Sequence, residues 1–136
     1  MIMNTKNFLK RWHKCVQNRD QKLLHELLAP DAVFHSPIVW TPQEGRAKAE
    51  MYLQGAVFVL ANDHFQYSRE ICEGPHTILE FETVVDGITV QGVDMITWNE
   101  QGQITDFKVM IRPLKAIQLV HEKMGRLLAM MGNSGK

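Results

Sequence analysis

The dipeptide Asp86-Gly87 stands between two β-rich runs, Thr77 to Val85 and Ile88 to Trp98. Asp-Gly in that setting is the strongest short-range signal for a tight hairpin, because both central residues of the favoured turn need positive φ. Two further runs, His64 to Cys72 and Ile104 to Arg112, are set off by Glu73-Gly74-Pro75 and by Asn99-Glu100-Gln101-Gly102. Gly, Pro and Asn clusters of this kind punctuate strands. The second half of the chain therefore predicts a four-strand antiparallel meander.

The first half has a different period. Phe8, Trp12, Cys15 and Val16 fall at i, i+4, i+7 and i+8, one stripe of a helix from about Thr5 to Arg19. Asp20 can cap a second, shorter helix that carries Leu23, Leu24, Leu27 and Leu28 and ends before Pro30. Asp31 to Ser36 reads as a short strand between Pro30 and Pro37, and Gly45 to Leu60 as a third helix bearing Ala47, Met51, Tyr52, Gly55, Ala56, Val59 and Leu60. A last helix begins near Pro113, with Ile117, Val120, Met124, Leu127 and Met131 on one stripe, before the polar tail of residues 132–136. That stripe covers the open side of the sheet or joins a subunit interface.

With 136 residues, the chain fits one domain, 1–136. Folding should remove roughly two-thirds of its unfolded surface, enough for a real core. Lys+Arg and Asp+Glu stand at 15 each, so no net positive field draws the chain to nucleic acid or an anionic membrane. Apolar stretches such as Gly55 to Ala61 fall far short of the roughly 20 residues that span a bilayer. The start, MIMNTKNFLKRWHK, has no apolar core followed by a cleavage site, so a cytoplasmic protein is expected. Cys15 and Cys72 form no CxxC pair and read as buried free thiols. The six histidines make no HxH or HExxH motif, so no metal is expected. Phosphate-loop and dinucleotide glycine patterns are absent, so no cofactor of the ATP, NAD or flavin kind is implied.

Two helices, a short strand, a long helix and a meander give an α+β order of elements that resembles the cone-shaped, cystatin-like fold of the nuclear transport factor 2-like superfamily. The specific likeness is the segment from Gly92 to Phe107, with Asp94 on the third meander strand, Trp98 four residues later, a glycine turn at Gly102 and a returning strand from Ile104. The segment LLAPDAVFHSP likewise resembles the first strand of the superfamily's SnoaL-like branch. The likeness runs from Phe8 to about Leu114. It implies a curved, mainly antiparallel sheet wrapped by helices around a largely apolar pocket, a homodimer, and a small apolar or amphipathic molecule as ligand. Members include polyketide cyclases, ketosteroid isomerases, epoxide hydrolases, dehydratases and non-enzymatic carriers, so the fold leaves the function to the site residues.

Asp94 is the leading candidate for chemistry. Strand residues of one parity share a face, which groups Val90, Gly92, Asp94, Ile96 and Trp98. A carboxyl among such neighbours has its pKa raised by desolvation and can act as a general acid or hydrogen-bond donor, whereas the structural alternative is an Asp bonded to its surroundings. Aligned with ketosteroid isomerase, Trp12 occupies the place of the catalytic tyrosine and Ser36 that of the base aspartate, and neither can do that work. His35 is the alternative base, provided that it shares a face with Asp94 across the pocket. Trp12, Ser36, Tyr52, Phe58, Trp98 and Phe107 are the expected ligand contacts, and Arg112 could hold an anionic group. An acid/base isomerase, cyclase or dehydratase/hydratase, a non-catalytic carrier or sensor, and a dimeric interaction module are the three functions this set allows.

Overall fold

The computed structural model describes residues 4–130. Its elements are α1 (Thr5–Asn18), α2 (Gln21–Leu27), β1 (Leu28–His35), β2 (Gln43–Glu44), α3 (Arg46–Leu60), β3 (Gln66–Glu73), β4 (His76–Val85), β5 (Ile88–Trp98), β6 (Ile104–Arg112) and α4 (Leu114–Leu128). The strands form one curved six-stranded sheet in the order β2-β1-β6-β5-β4-β3. β3 to β6 are the expected antiparallel meander, and β1 joins it parallel to β6. Both turn residues of the β4–β5 hairpin have positive φ, 50° at Asp86 and 78° at Gly87, as a mirror-image turn between two twisted strands requires.

The helix ends follow their caps. The Asp20 side chain accepts from Leu23 N at 3.0 Å, satisfying one of the free amides that open α2. α1 stops where Arg19 turns into the left-handed region at φ 50°. The Arg19 guanidinium then reaches across to the carbonyl of Ala61, with Nε donating at 2.9 Å, and so ties the end of α1 to the end of α3.

Three details depart from expectation. β1 begins at Leu28 rather than Asp31, because the chain turns extended directly after Leu27 and Leu28 pairs with Ile104. A register shift between Leu28 and Val33 takes up Pro30, which has no N–H to give to a ladder. The two-residue β2, expected as loop, pairs with Val33 and Phe34 at the sheet edge. Met131 and the polar tail lie outside the described residues.

The core lies on one face of the sheet. Leu79, Phe81, Val90, Ile96, Ile104 and Phe107 point into it, and α1, α2 and α3 cover them with Leu9, Trp12, Val16, Leu24, Leu27 and Leu53. α4 packs against α3, β5 and β6, so its apolar stripe covers the open end of the sheet. Ala116 and Val120 are its buried residues. α3 and α4 meet closely at Gly55, where an added Cβ would lie 2.9 Å from Met124 Cε. No described helix is long and apolar enough to cross a membrane.

Candidate functional site

Asp94 faces inward from the middle of β5 and is 6% exposed. Around it stand Trp12 from α1, Tyr67 from β3, Phe81 from β4 and Phe107 from β6. Trp12 Nε1 donates to Tyr67 Oη at 3.0 Å, and Tyr67 Oη donates to Asp94 Oδ2 at 2.8 Å. An indole N–H can only donate, so the tyrosine oxygen accepts from Trp12 and its proton must turn towards the carboxyl. The direction of the whole chain is thereby fixed. Among the described residues no protein group bonds to Oδ1, the carboxyl oxygen left for a ligand.

Burial pushes the pKa of Asp94 up to about 7, and the hydrogen bond from Tyr67 opposes that rise. The Tyr67 hydroxyl is held well above its ordinary value, first by burial and then by the adjacent Asp94 charge. Near neutrality the site therefore holds a carboxyl shared between its acid and base forms, beside a phenol that stays protonated.

One chamber adjoins this network and a second lies beyond it. The inner one, about 30 Å³, is bounded by Asp94, Tyr67, Trp12, Phe81 and Phe107. The outer one, about 170 Å³, lies between α3, α4 and the end of β1, with Phe34, Tyr52, Ile111, Val120 and Met124 in its walls and Ser36 and His121 among its few polar groups. Ala56, Leu60 and Val109 line both and form the partition. The walls are overwhelmingly apolar, as small-molecule sites usually are.

The residues singled out from sequence divide between the two faces of the sheet. Trp12 and Phe107 line the inner chamber, and Tyr52, stacked on Phe34 at 5.9 Å, lines the outer one. Ser36 borders the outer chamber, but its Oγ accepts from Ile38 N at 2.9 Å and shapes the turn after β1. His35 is on the other face. It sits opposite Lys108 in the β1–β6 ladder, and its Nε2 lies 2.8 Å from Asp106 Oδ1. The pairing of Asp94 with His35 is thus not assembled, since Phe34 takes the inward position and strand alternation sends its neighbour outward.

Phe58 is 62% exposed, because on α3 it points away from the flank of Leu53, Ala56 and Leu60. Trp98 is buried at the opposite end of the sheet, under Phe8, with Nε1 donating to Thr77 Oγ1 at 3.0 Å; it lines neither chamber. Arg112 bonds Gln91 Oε1 at 2.8 Å on the outer face.

Sequence reasoning missed Tyr67, although Phe65 and Tyr67 sit two apart on a strand, the spacing of a shared face. It also missed Leu60 and Val109 as the partition. Cys15 is a core residue whose thiol burial pushes up to about 12. Cys72 is half-buried, and both are free. Among the described residues no group of three or more His, Cys, Asp or Glu could hold a metal ion.

A small α+β domain with a curved sheet, an apolar double chamber and one buried carboxyl at its inner end defines the class of protein. The sequence model of the SnoaL-like domain matches residues 9–107, and the chain belongs to that family. Among solved structures, a steroid delta-isomerase from Pseudomonas aeruginosa is 38% identical, with 94% of this chain and 93% of that one covered and a TM-score of 0.88. An uncharacterised bacterial protein with a cystatin-like fold from Silicibacter pomeroyi is 33% identical over 90% of this chain and 85% of that one, with a TM-score of 0.83. A nuclear transport factor 2-like protein of unknown function from Mesorhizobium loti, 17% identical over 80% and 91% with a TM-score of 0.69, shares the fold. No curated protein matches the chain.

Proposed function

We propose that the chain is a cofactor-independent acid/base enzyme that moves a proton within a small, largely apolar molecule, an isomerisation, with Asp94 as the group that carries the proton. The observation behind this reading is the free Oδ1 of a buried carboxyl whose pKa of about 7 supplies both its acid and its base form at neutral pH. Among the described residues, no second titratable side chain lines the inner chamber except Tyr67, whose proton is committed to Oδ2. One carboxyl alone can take a proton from a carbon next to a carbonyl and return it further along the same molecule. That cycle needs no net donor or acceptor. Dehydration also balances on one carboxyl, the proton leaving with the hydroxyl as water, and is the alternative reaction within the same reading. The name of the 38% identical Pseudomonas protein, a steroid delta-isomerase, points to isomerisation.

A carrier is the second reading, favoured by one observation: the donors of Trp12 and Tyr67 are already spent inside the network, leaving none for a developing oxyanion. One experiment separates the two. Conversion of cyclohex-3-enone to its conjugated isomer is followed by ultraviolet absorbance with wild type and Asp94→Asn. An enzyme gives turnover that Asp94→Asn lowers by about 10²- to 10⁴-fold; absence of turnover, with the ketone bound equally by both forms, makes the chain a carrier.

The homodimer belongs to the same proposal, with the outer face of the sheet as its interface. Ile71 and Met110 are exposed there, and within the face Arg69 pairs with Glu80 while His35 hydrogen-bonds Asp106. Glu82 and Lys108, of opposite sign on the same face, are available to pair with a second copy. Light scattering that shows a monomer at micromolar concentration overturns this part.

A further inference from the structure

The two chambers differ in size, and the partition between them limits what can reach Asp94. An inner space of about 30 Å³ exceeds the roughly 10 to 15 Å³ that one water molecule needs, but by little. It takes a single small group, such as a carbonyl or hydroxyl oxygen. The outer space of about 170 Å³ is close to the roughly 150 Å³ of an apolar cavity that binds benzene, and well below the roughly 300 to 1,000 Å³ of sites for drug-sized ligands. Leu60, Ala56 and Val109 stand between the two spaces, on α3 and β6. Leu60 is 6% exposed and Val109 5%, so both are held in place by packing. α4 closes the far side, with Met124 seated against Gly55.

We infer that the chain selects a single-ring-sized apolar molecule with one oxygen at its narrow end, and that Leu60, Val109 and Met124 set this limit. The oxygen-bearing edge of the ring lies at the partition, towards Asp94, and the rest of the ring stays in the outer chamber against Phe34 and Tyr52. A rigid fused tetracycle with its oxygen towards Asp94 has only its first ring enclosed, and the remaining rings gain little from burial. In a chamber with room to spare, each added buried CH₂ would strengthen binding by about fourfold. Here that gain stops after one ring. The inference rests on the proposed function only in taking Asp94 as the polar end of the site.

Isothermal titration of the full chain with p-cresol, one ring with one hydroxyl, and with oestradiol, a four-ring phenol, tests it. The titrations are run above the Asp94 pKa, where the carboxylate accepts the phenolic proton. The expected result is that p-cresol binds at least about tenfold more tightly than oestradiol, and that Leu60→Ala narrows the ratio by removing the partition. Met124→Ala, at a less buried position, gives the same narrowing should Leu60→Ala fail to fold. Oestradiol binding as tightly as p-cresol to wild type overturns the inference, and so does a failure of p-cresol to bind. Asp94→Asn separates the two levels: a preserved size ranking with cyclohex-3-enone turnover unchanged supports the size limit and removes the acid/base role of Asp94.

Discussion

The two faces of the sheet treat a carboxyl in opposite ways. On the outer face Glu80 meets the Arg69 guanidinium, with Arg69 Nη2 donating to Oε2 at 3.1 Å, and that hydrogen bond holds its pKa below the usual value. On the inner face Asp94, one strand away, has among the described residues no cation beside it and only Tyr67 as a donor, and burial raises its pKa to about 7. The residues belong to one sheet, and only their parity differs. The outer carboxylate is a charge at rest in a pair, while the inner one is uncomfortable enough to exchange its proton. Burial without a counter-ion is the property that makes a candidate acid/base group.

The largest expected effect comes from abolishing that discomfort. The folded Asp94 keeps its proton up to about 7, whereas the unfolded chain releases it near the ordinary 3.8. Folded stability therefore falls as pH rises between those values, by about 4 kcal/mol at most at roughly 1.4 kcal/mol per unit. Asp94→Asn cannot ionise, so urea unfolding should show it gaining on wild type from pH 4 to pH 8. A difference independent of pH would show that Asp94 does not carry the penalty.

Next in size is Gly92→Ala. A Cβ there would lie 2.6 Å from the carbonyl oxygen of Met110 and 2.5 Å from Phe81 Cζ. Backbone cannot step aside easily, so a loss of about 3 kcal/mol is expected in the same measurement. Retention of full stability would mean that Phe81 is free to move and the inner wall is softer than its packing indicates.

Tyr67→Phe should cost about 2 kcal/mol, since it leaves the Trp12 N–H and Asp94 Oδ2 without partners. It also removes the one interaction that favours the carboxylate, so the Asp94 pKa should rise further, read by carboxyl titration in carbon-13 spectra. A fall would break the assigned direction of the hydrogen-bond chain. Arg69→Ala, the matching cut on the outer face, should move the melting temperature least of the four, because an exposed pair is largely screened.

Much of the fold was legible because its signals are local. The Asp86-Gly87 turn, the Asp20 cap and the helical stripes each act over a few residues, and each element appears where they put it. Alternation alone grouped Asp94 with Val90, Gly92, Ile96 and Trp98, and the structure turns that face inward. What escaped were relations between distant segments. His35 and Asp94 are a plausible pair until the register of β1 is known, and that register depends on a bulge around Pro30 that no local rule specifies. Tyr67 is an unremarkable strand aromatic until the twist of three strands brings its hydroxyl to Asp94. Phe58 and Arg112 were chosen for residue type, and type says nothing about which way a side chain points.

The parallel pairing of β1 with β6 carries a consequence for how the molecule is made. The strand pairings within the meander each join neighbours in sequence, and such hairpins close quickly. His35 and Asp106, by contrast, meet across 71 residues, and closing so long a loop loses entropy before any contact rewards it. As the chain leaves the ribosome, Phe34 can pair with Gln43 and stack on Tyr52 early, but its partner Phe107 is missing until β6 has emerged, and α4 follows later still. The walls that β6 and α4 give the two chambers are therefore the last parts to exist, so a chain cut short after β5 would keep its hairpins and lack those walls.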